Sequence, residues 1–274
     1  MLVYSTMTFQ HLDVVRALEM LSTYARSRVV ELSHVHMDKL SADQFRHLVP
    51  RILKVMRESG IVVKVLHMPT YISVVDNLSE YEKVLYQAYE WLMAMQNLDV
   101  DIAVMHTLYT SRRVSMNSLE WFTKNLELNR VFISRLSKKV RELGITLAIE
   151  NRVERWLVGN SAMDLIELVR EGDGVGICFD LGHAHASGYN LVEFHEAIRN
   201  YIVAYHIHDN DGSRDQHLLP LLGSIDWHAI KSVIKRDKPM VFEVACSDDR
   251  RCVNYIEMID IVYRRLFGDE LTAS

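Results

Sequence analysis

Eight short runs of apolar and β-branched residues recur along the chain, separated by longer stretches of helical period. They are "LVYSTMTF", "RVVELSHV", "IVVKVLHMP", "DIAVMHTL", "ITLAIEN", "VGICFDLGHA", "IVAYHIHDN" and "PMVFEVA". Between them, segments such as "ADQFRHLVPRILKVMRESG" and "EYEKVLYQAYEWLMAMQNL" repeat apolar residues at the spacing of an amphipathic helix. Ser161 and Asp226 read as helix N-caps, and Gly60 and Gly144 as C-terminal stops ahead of strands. Near-continuous apolar strands alternating with helices predict a parallel sheet covered by helices.

A chain of 274 residues is close to the size of a (β/α)8 TIM barrel, which typically takes about 250. The predicted fold is therefore α/β, one TIM-barrel domain over residues 1–274. An open doubly wound sheet is the alternative, but no GxGxxG follows the first strand, so nothing points to a dinucleotide site. No Ser/Gly/Pro-rich linker divides the chain. Pro50 falls inside a helical pattern and predicts a kink or a break. The stretch "NDGSRDQHLLPLLGSI" after the seventh run is long and polar, as functional loops in compact domains often are.

Composition narrows the function. With 49% hydrophobic and 24% charged residues the chain can build a large core. A net charge of -5 argues against broad attraction to nucleic acid, although a local basic cleft would restore it. Cys178, Cys246 and Cys252 form no CxxC pair and no disulfide framework, which predicts a reducing, cytoplasmic setting. The start "MLVYSTMTFQHLDVV" has neither a basic region nor a long apolar one, so no signal peptide is expected. No run approaches the roughly 18–20 apolar residues of a membrane span.

The chemistry gathers at the strand ends. In "GICFDLGHAHASG", residues 176–188, Asp180 and His183 follow an apolar run. The plain reading is that Asp180 caps the next helix and His183 sits in a loop. The other strands argue for more. His67 ends the third, His106 the fourth, Glu150 the fifth, His206 with His208 the seventh, and Glu243 the eighth. Asp215 and His217 lie in the loop beyond the seventh. In a barrel these ends converge on one face, where catalytic sites are built. Imidazole and carboxylate without thiolate suit a divalent ion such as Zn, Mn, Co, Fe or Mg. The donors suffice for one to three ions, since one ion rarely takes more than about six ligands. His208 and His185 are expected to point away from the cluster by strand alternation.

The segments "LHMPTY", "VMHTL", "AIENR", "FDLGHAHASGYN", "YHIHDNDGSRDQHL" and "VFEV", in this order, resemble the xylose-isomerase-like TIM-barrel superfamily. That superfamily contains sugar isomerases, sugar epimerases and the endonuclease IV family. The resemblance implies that Glu150, Asp180, His206 and Glu243 are the ligand set of the single-metal isomerases and epimerases. The trinuclear zinc pattern of the endonucleases adds His67, His106, His183, Asp215 and His217, and all of these positions are filled.

Two enzymes fit this set. The preferred reading is a metal-dependent isomerase or epimerase of a keto-sugar, sugar phosphate or sugar acid, working through an enediolate. Glu150 and Glu243 are then the proton-transfer pair, while His183, Arg152 and Arg214 hold the substrate. The structural alternative for the glutamates is a buried salt bridge to Arg152 or Lys238. The second reading is a zinc-dependent endonuclease acting at abasic DNA sites, with Arg112, Arg113, Arg152, Arg155 and Arg214 as a basic rim. "HMPTYIS" is similar to the endonuclease "HxxYLIN" segment, but "FDLGHAHASGYN" lacks the threonine–cysteine pair that follows the aspartate there. "LPLLGSIDW" likewise puts Leu222 and Gly223 in place of the usual "GxG". A non-catalytic binding barrel would leave the ring of ligands unexplained. Trp91 and Trp121 fall in helical pattern and read as core, whereas Trp156 lies just past the fifth strand. No membrane partner is expected, and self-association is left open.

Overall fold

All eight predicted strands form and pair in parallel into one closed barrel. The computed structural model describes residues 1–75, 80–110 and 118–268. The strands are β1 (Leu2–Ser5), β2 (Val29–Leu32), β3 (Val62–His67) and β4 (Ile102–His106). They continue as β5 (Thr146–Glu150), β6 (Val175–Asp180), β7 (Ile202–Ile207) and β8 (Met240–Phe242). Each neighbours the next in sequence, and β1 closes the ring on β8 through the pairs Leu2↔Met240 and Tyr4↔Phe242. The chain is a single-domain TIM barrel. Among the described residues no helix is long and apolar enough to cross a membrane.

The two-residue period of the strands sets what points where. Val3, Val65, Val104, Ala148, Cys178, Ala204 and Val241 pack together in the lumen, with Val29 against them. Their neighbours Tyr4, Leu66, Met105, Ile149, Phe179, Tyr205 and Phe242 face the larger core under the helices. Two residues further along each strand the inward direction returns. There stand Glu31, His67, His106, Glu150, Asp180, His206 and Glu243, so the apolar lumen ends in a polar layer at the C-terminal mouth.

The helices begin and end for the expected local reasons. The hydroxyl of Ser161 and the carboxylate of Asp226 cap the helices Ala162–Val169 and Trp227–Ile230. Gly60 and Gly144 follow their helices at φ 72 and φ 70, a left-handed backbone that glycine adopts without a Cβ clash. The long loop after β7 is tightly held. Its Asp209 carboxylate accepts hydrogen bonds from the backbone N–H groups of Asn210, Leu221 and Ile225 and from the Trp227 indole.

Three expectations need correction. The first run stops as a strand at Ser5 and continues as a 3-10 turn over Thr6–Phe9, because the Ser5 hydroxyl accepts from Met7 N and redirects the chain. The helix Ala42–Ser59 runs through Pro50 without a break, secured at its start by the Ser41/Gln44 capping box. Cys246 and Cys252 form a disulfide, so the reading of three unpaired thiols is wrong. The turn after β8 folds back into the helix Asp249–Phe267 and brings their Cα atoms to 5.5 Å, within the span of a disulfide. Cys178 is free and buried.

Candidate metal centre

Glu150 is the hub of the polar layer. It is 1% exposed, and its Oε2 lies 2.9 Å from His67 Nε2 and 2.7 Å from His106 Nε2. Its Oε1 lies 2.7 Å from His206 Nδ1, which is also 3.2 Å from Glu243 Oε2. Arg152 pairs instead with Glu154, and Lys238 with Asp237, so neither cation holds the glutamates.

In four of the rings the outer nitrogen tells what the inner one can do. His67 Nδ1 donates to the Met68 carbonyl at 2.7 Å, His183 Nδ1 to Asn151 O at 2.9 Å, and His217 Nδ1 to Glu243 O at 2.8 Å. His206 donates through Nε2 to Glu31 Oε2 at 3.0 Å. In a neutral imidazole the other nitrogen then carries only a lone pair, and here it faces a carboxylate. Two acceptors pressed together need a proton or a cation between them. A histidine that donates outward to a carbonyl or carboxylate and turns its lone pair inward is the usual arrangement of a metal ligand. The donor set fits a divalent ion.

Without an ion, protons fill this role. Burial pulls the His67 and His183 imidazoles down, but the adjoining carboxylates outweigh it and hold both above the ordinary range. His217 is pushed up to about 9 by Asp215 against the same burial. Burial would raise Glu150 and Glu243, yet the surrounding imidazoles hold both well below the carboxylate range. His106 runs the other way, lowered to about 4 by burial and then by Arg152.

The nine residues singled out in the sequence all come together. Together with His208 they form three groups, within each of which the ligand atoms lie within 4.8 Å of one another. One is His67, His106 and Glu150; the second is Glu150, Asp180, His206 and Glu243; the third is His183, His208, Asp215 and His217. Asp180 caps the next helix as the plain reading has it, its Oδ1 accepting from the His183 N–H at 2.6 Å. His183, however, lies in that helix, Leu181–Ala186, and not in a loop. The Asp180 side chain also falls in the second group.

His208 corrects an expectation. Residues i and i+2 share a face, so His208 follows His206 inward, and its Nε2 stands 3.1 Å from Asp180. His185 does stay outside, bonded to Asn210. Two residues escaped the sequence reading. Glu31 is fully buried at the end of β2 and supports His206; a lone carboxylate in "RVVELSHV" was the signal. His34 opens the short helix His34–Met37 after β2, its ring 4.7 Å from that of His67, and burial lowers it to about 3.

A cavity of about 330 Å³ opens over the groups, lined by His34, His67, His106, Glu150, Arg152, His183, Asp215, His217 and Glu243, among others. Of the arginines proposed for substrate or DNA, Arg152 lines it. Arg155 and Arg214 are exposed outside it, and Arg112 and Arg113 lie outside the described residues. Trp91 and Trp121 are core, and Trp156 is half exposed, 5.4 Å from the Trp121 ring.

A family model for a xylose isomerase-like TIM barrel matches residues 27–260. The chain belongs to this family. Over 144 residues it is 31% identical to an uncharacterised protein of Methanocaldococcus jannaschii, covering 50% of this chain and 47% of that protein. Over 122 residues it is 31% identical to a "Probable endonuclease 4" of Phocaeicola vulgatus, covering 35% of this chain and 44% of that one. In these matches the chain spans less than half of each curated relative's length.

Solved structures of the same fold include a D-tagatose 3-epimerase-like protein, with TM-score 0.75, 20% identity and coverage of 95% and 98% of the two chains. A D-psicose 3-epimerase in the presence of D-fructose matches with TM-score 0.75, 13% identity and coverage of 97% and 99%. A protein called IOLI, with a binding zinc atom, matches with TM-score 0.73, 17% identity and coverage of 97% and 98%. At these identities the likeness is one of fold.

Proposed function

We propose that the chain is a divalent-metal-dependent isomerase or epimerase of a keto-sugar, sugar phosphate or sugar acid. One observation carries this reading. Glu150 and Glu243 reach His206 Nδ1 from strands three places apart around the barrel, at 2.7 and 3.2 Å, and both line the cavity. Two buried carboxylates facing one substrate space from different strands are placed to take a proton from one face of a carbon and return one to the other.

Glu150, Asp180, His206 and Glu243 would hold the ion, which when bound polarises a carbonyl and its neighbouring hydroxyl and so makes the carbon between them acidic. His183 would hold a substrate hydroxyl. Arg152, buried with an unpartnered Nε, would take a carboxylate or phosphate in place of the exposed Arg214. Inside the cavity, water exclusion strengthens these charge interactions.

A second reading, zinc-dependent phosphodiester hydrolysis at abasic DNA, is favoured by the way two groups share Glu150 beside a third. The similarity to the probable endonuclease supports it too. Against it stands the lining, where, among the described residues, Glu150, Glu154, Asp215 and Glu243 face one arginine, a poor setting for a phosphate backbone.

The deciding experiment incubates metal-loaded protein with D-fructose, D-tagatose or D-psicose in heavy water. Deuterium entering the carbon beside the carbonyl, and lost in Glu150→Gln or Glu243→Gln, supports the isomerase. Nicking of an abasic duplex without any such exchange overturns it.

A further inference from the structure

Just past Glu243 the chain is bridged to the helix that follows. Cys246 and Cys252 are joined across a sequence separation of 6. Cys252 stands in the first turn of Asp249–Phe267 and is fully buried, while Cys246 is 8% exposed. We infer that this disulfide is a redox-sensitive clamp on the metal centre, closed when oxidised and loosened when a dithiol reduces it. The inference rests on the metal centre and not on the reaction proposed for it.

The clamped segment joins several parts of the barrel mouth. The Glu243 carboxylate belongs to the second donor group, and its backbone carbonyl accepts from His217 Nδ1 at 2.8 Å. The Ala245 N–H returns a bond to His217 O at 3.0 Å, and His217 belongs to the third group. Gln10, at the end of the 3-10 turn after β1, donates from Nε2 to Cys246 O at 3.2 Å. The stretch from Glu243 to Cys246 therefore carries a donor of one group and holds a donor of another.

With the bridge closed, this stretch is fixed covalently to a buried residue of the helix. In the opened form it relies on these hydrogen bonds, and each exchanges for one to water at small net cost. Metal ligands are sensitive to such support, since losing an indirect partner typically weakens binding by about 10–100-fold.

The exchange balances. One thiolate of the dithiol attacks Cys246 Sγ, on the less buried of the two residues, and the electron pair of the S–S bond leaves on Cys252. The second thiol of the reductant then attacks the mixed disulfide and frees Cys246. Two electrons and two protons pass to the protein, and the reductant departs as a cyclic disulfide. Cys252 suits the leaving role, because a helix N-terminus favours a thiolate. Cys178 is free and buried in the lumen, and takes no part.

The test uses the full chain, stripped of metal, in three states. One is oxidised, one is reduced by a dithiol that is then removed without air, and one is reoxidised with a small disulfide. Alkylation of denatured samples should count one thiol in the oxidised chain and three in the reduced one. Calorimetric titration with Mn²⁺, an ion that thiolates bind poorly, should show an affinity lowered at least about 10-fold on reduction and recovered on reoxidation. Cys252→Ser should hold the lower affinity with or without dithiol; a variant that still responds overturns the inference. Reduction that lowers the melting temperature yet leaves Mn²⁺ affinity unchanged makes the bridge a staple of the fold, which overturns it too. A reduced chain that unfolds outright does the same, as does a bridge that dithiol cannot open in the folded chain. Oxidised protein that binds no Mn²⁺ overturns the metal centre itself, and the clamp with it.

Discussion

His206 donates its Nε2–H to Glu31 across 3.0 Å inside the barrel, and both side chains are fully buried. That bond decides which imidazole nitrogen faces Glu150 and Glu243. Ser5 in turn donates to the other Glu31 oxygen at 2.8 Å, which fixes the carboxylate. Glu31→Gln should therefore lower the affinity of the Glu150/Asp180/His206/Glu243 group by about 10–100-fold. Isothermal titration of the stripped protein with Mn²⁺ measures this. An unchanged affinity would deny Glu31 its positioning role.

Glu150 belongs to two of the three donor groups and Glu243 to one. Glu150→Ala should consequently lower metal content at saturation by more than Glu243→Ala does. Metal analysis of the two variants, loaded under the same conditions, gives the comparison. Equal losses would mean that Glu150 is not shared.

Asp215 holds His217 up to about 9, against burial, from an ordinary value of 6.5. A folded-state pKa above the unfolded one means that folding favours the protonated ring. Its contribution is complete below pH 6.5 and is lost as pH rises through about 9. Stripped protein should lose thermal stability across this window, while metal-loaded protein, whose ion replaces the proton, should not. A thermal-melt series against pH with and without Zn²⁺ reads this directly.

Asp209 accepts four hydrogen bonds that pin the loop after β7, and it is fully buried. Asp209→Ala would strand several of these donors, each costing about 1–3 kcal/mol when buried and unpaired. We expect a loss of several kcal/mol and weakened metal binding at Asp215 and His217, which the loop carries. Chemical denaturation and cobalt titration of the variant test both parts.

The local pattern was enough to specify the barrel and its polar mouth. Near-continuous apolar runs, all but the first carrying a carboxylate or an imidazole at or near the end, can be buried in a parallel sheet only with those ends in one layer. His67, His106, Glu150, Asp180, His206 and Glu243 were legible for that reason. Glu31 was legible in principle, since it follows Val29 by two residues as His67 follows Val65. What remained hidden depends on separations across the barrel. His206 meets Glu31 over 175 residues of chain, and His67 meets Glu150 over 83. No spacing in a sequence says which ring nitrogen carries a proton, how donors divide into groups, or that Gly182 leaves room for His208. Those features, and the closure of Cys246 on Cys252, follow from packing, where distances of a few tenths of an ångström separate a shared ion from separate hydrogen bonds.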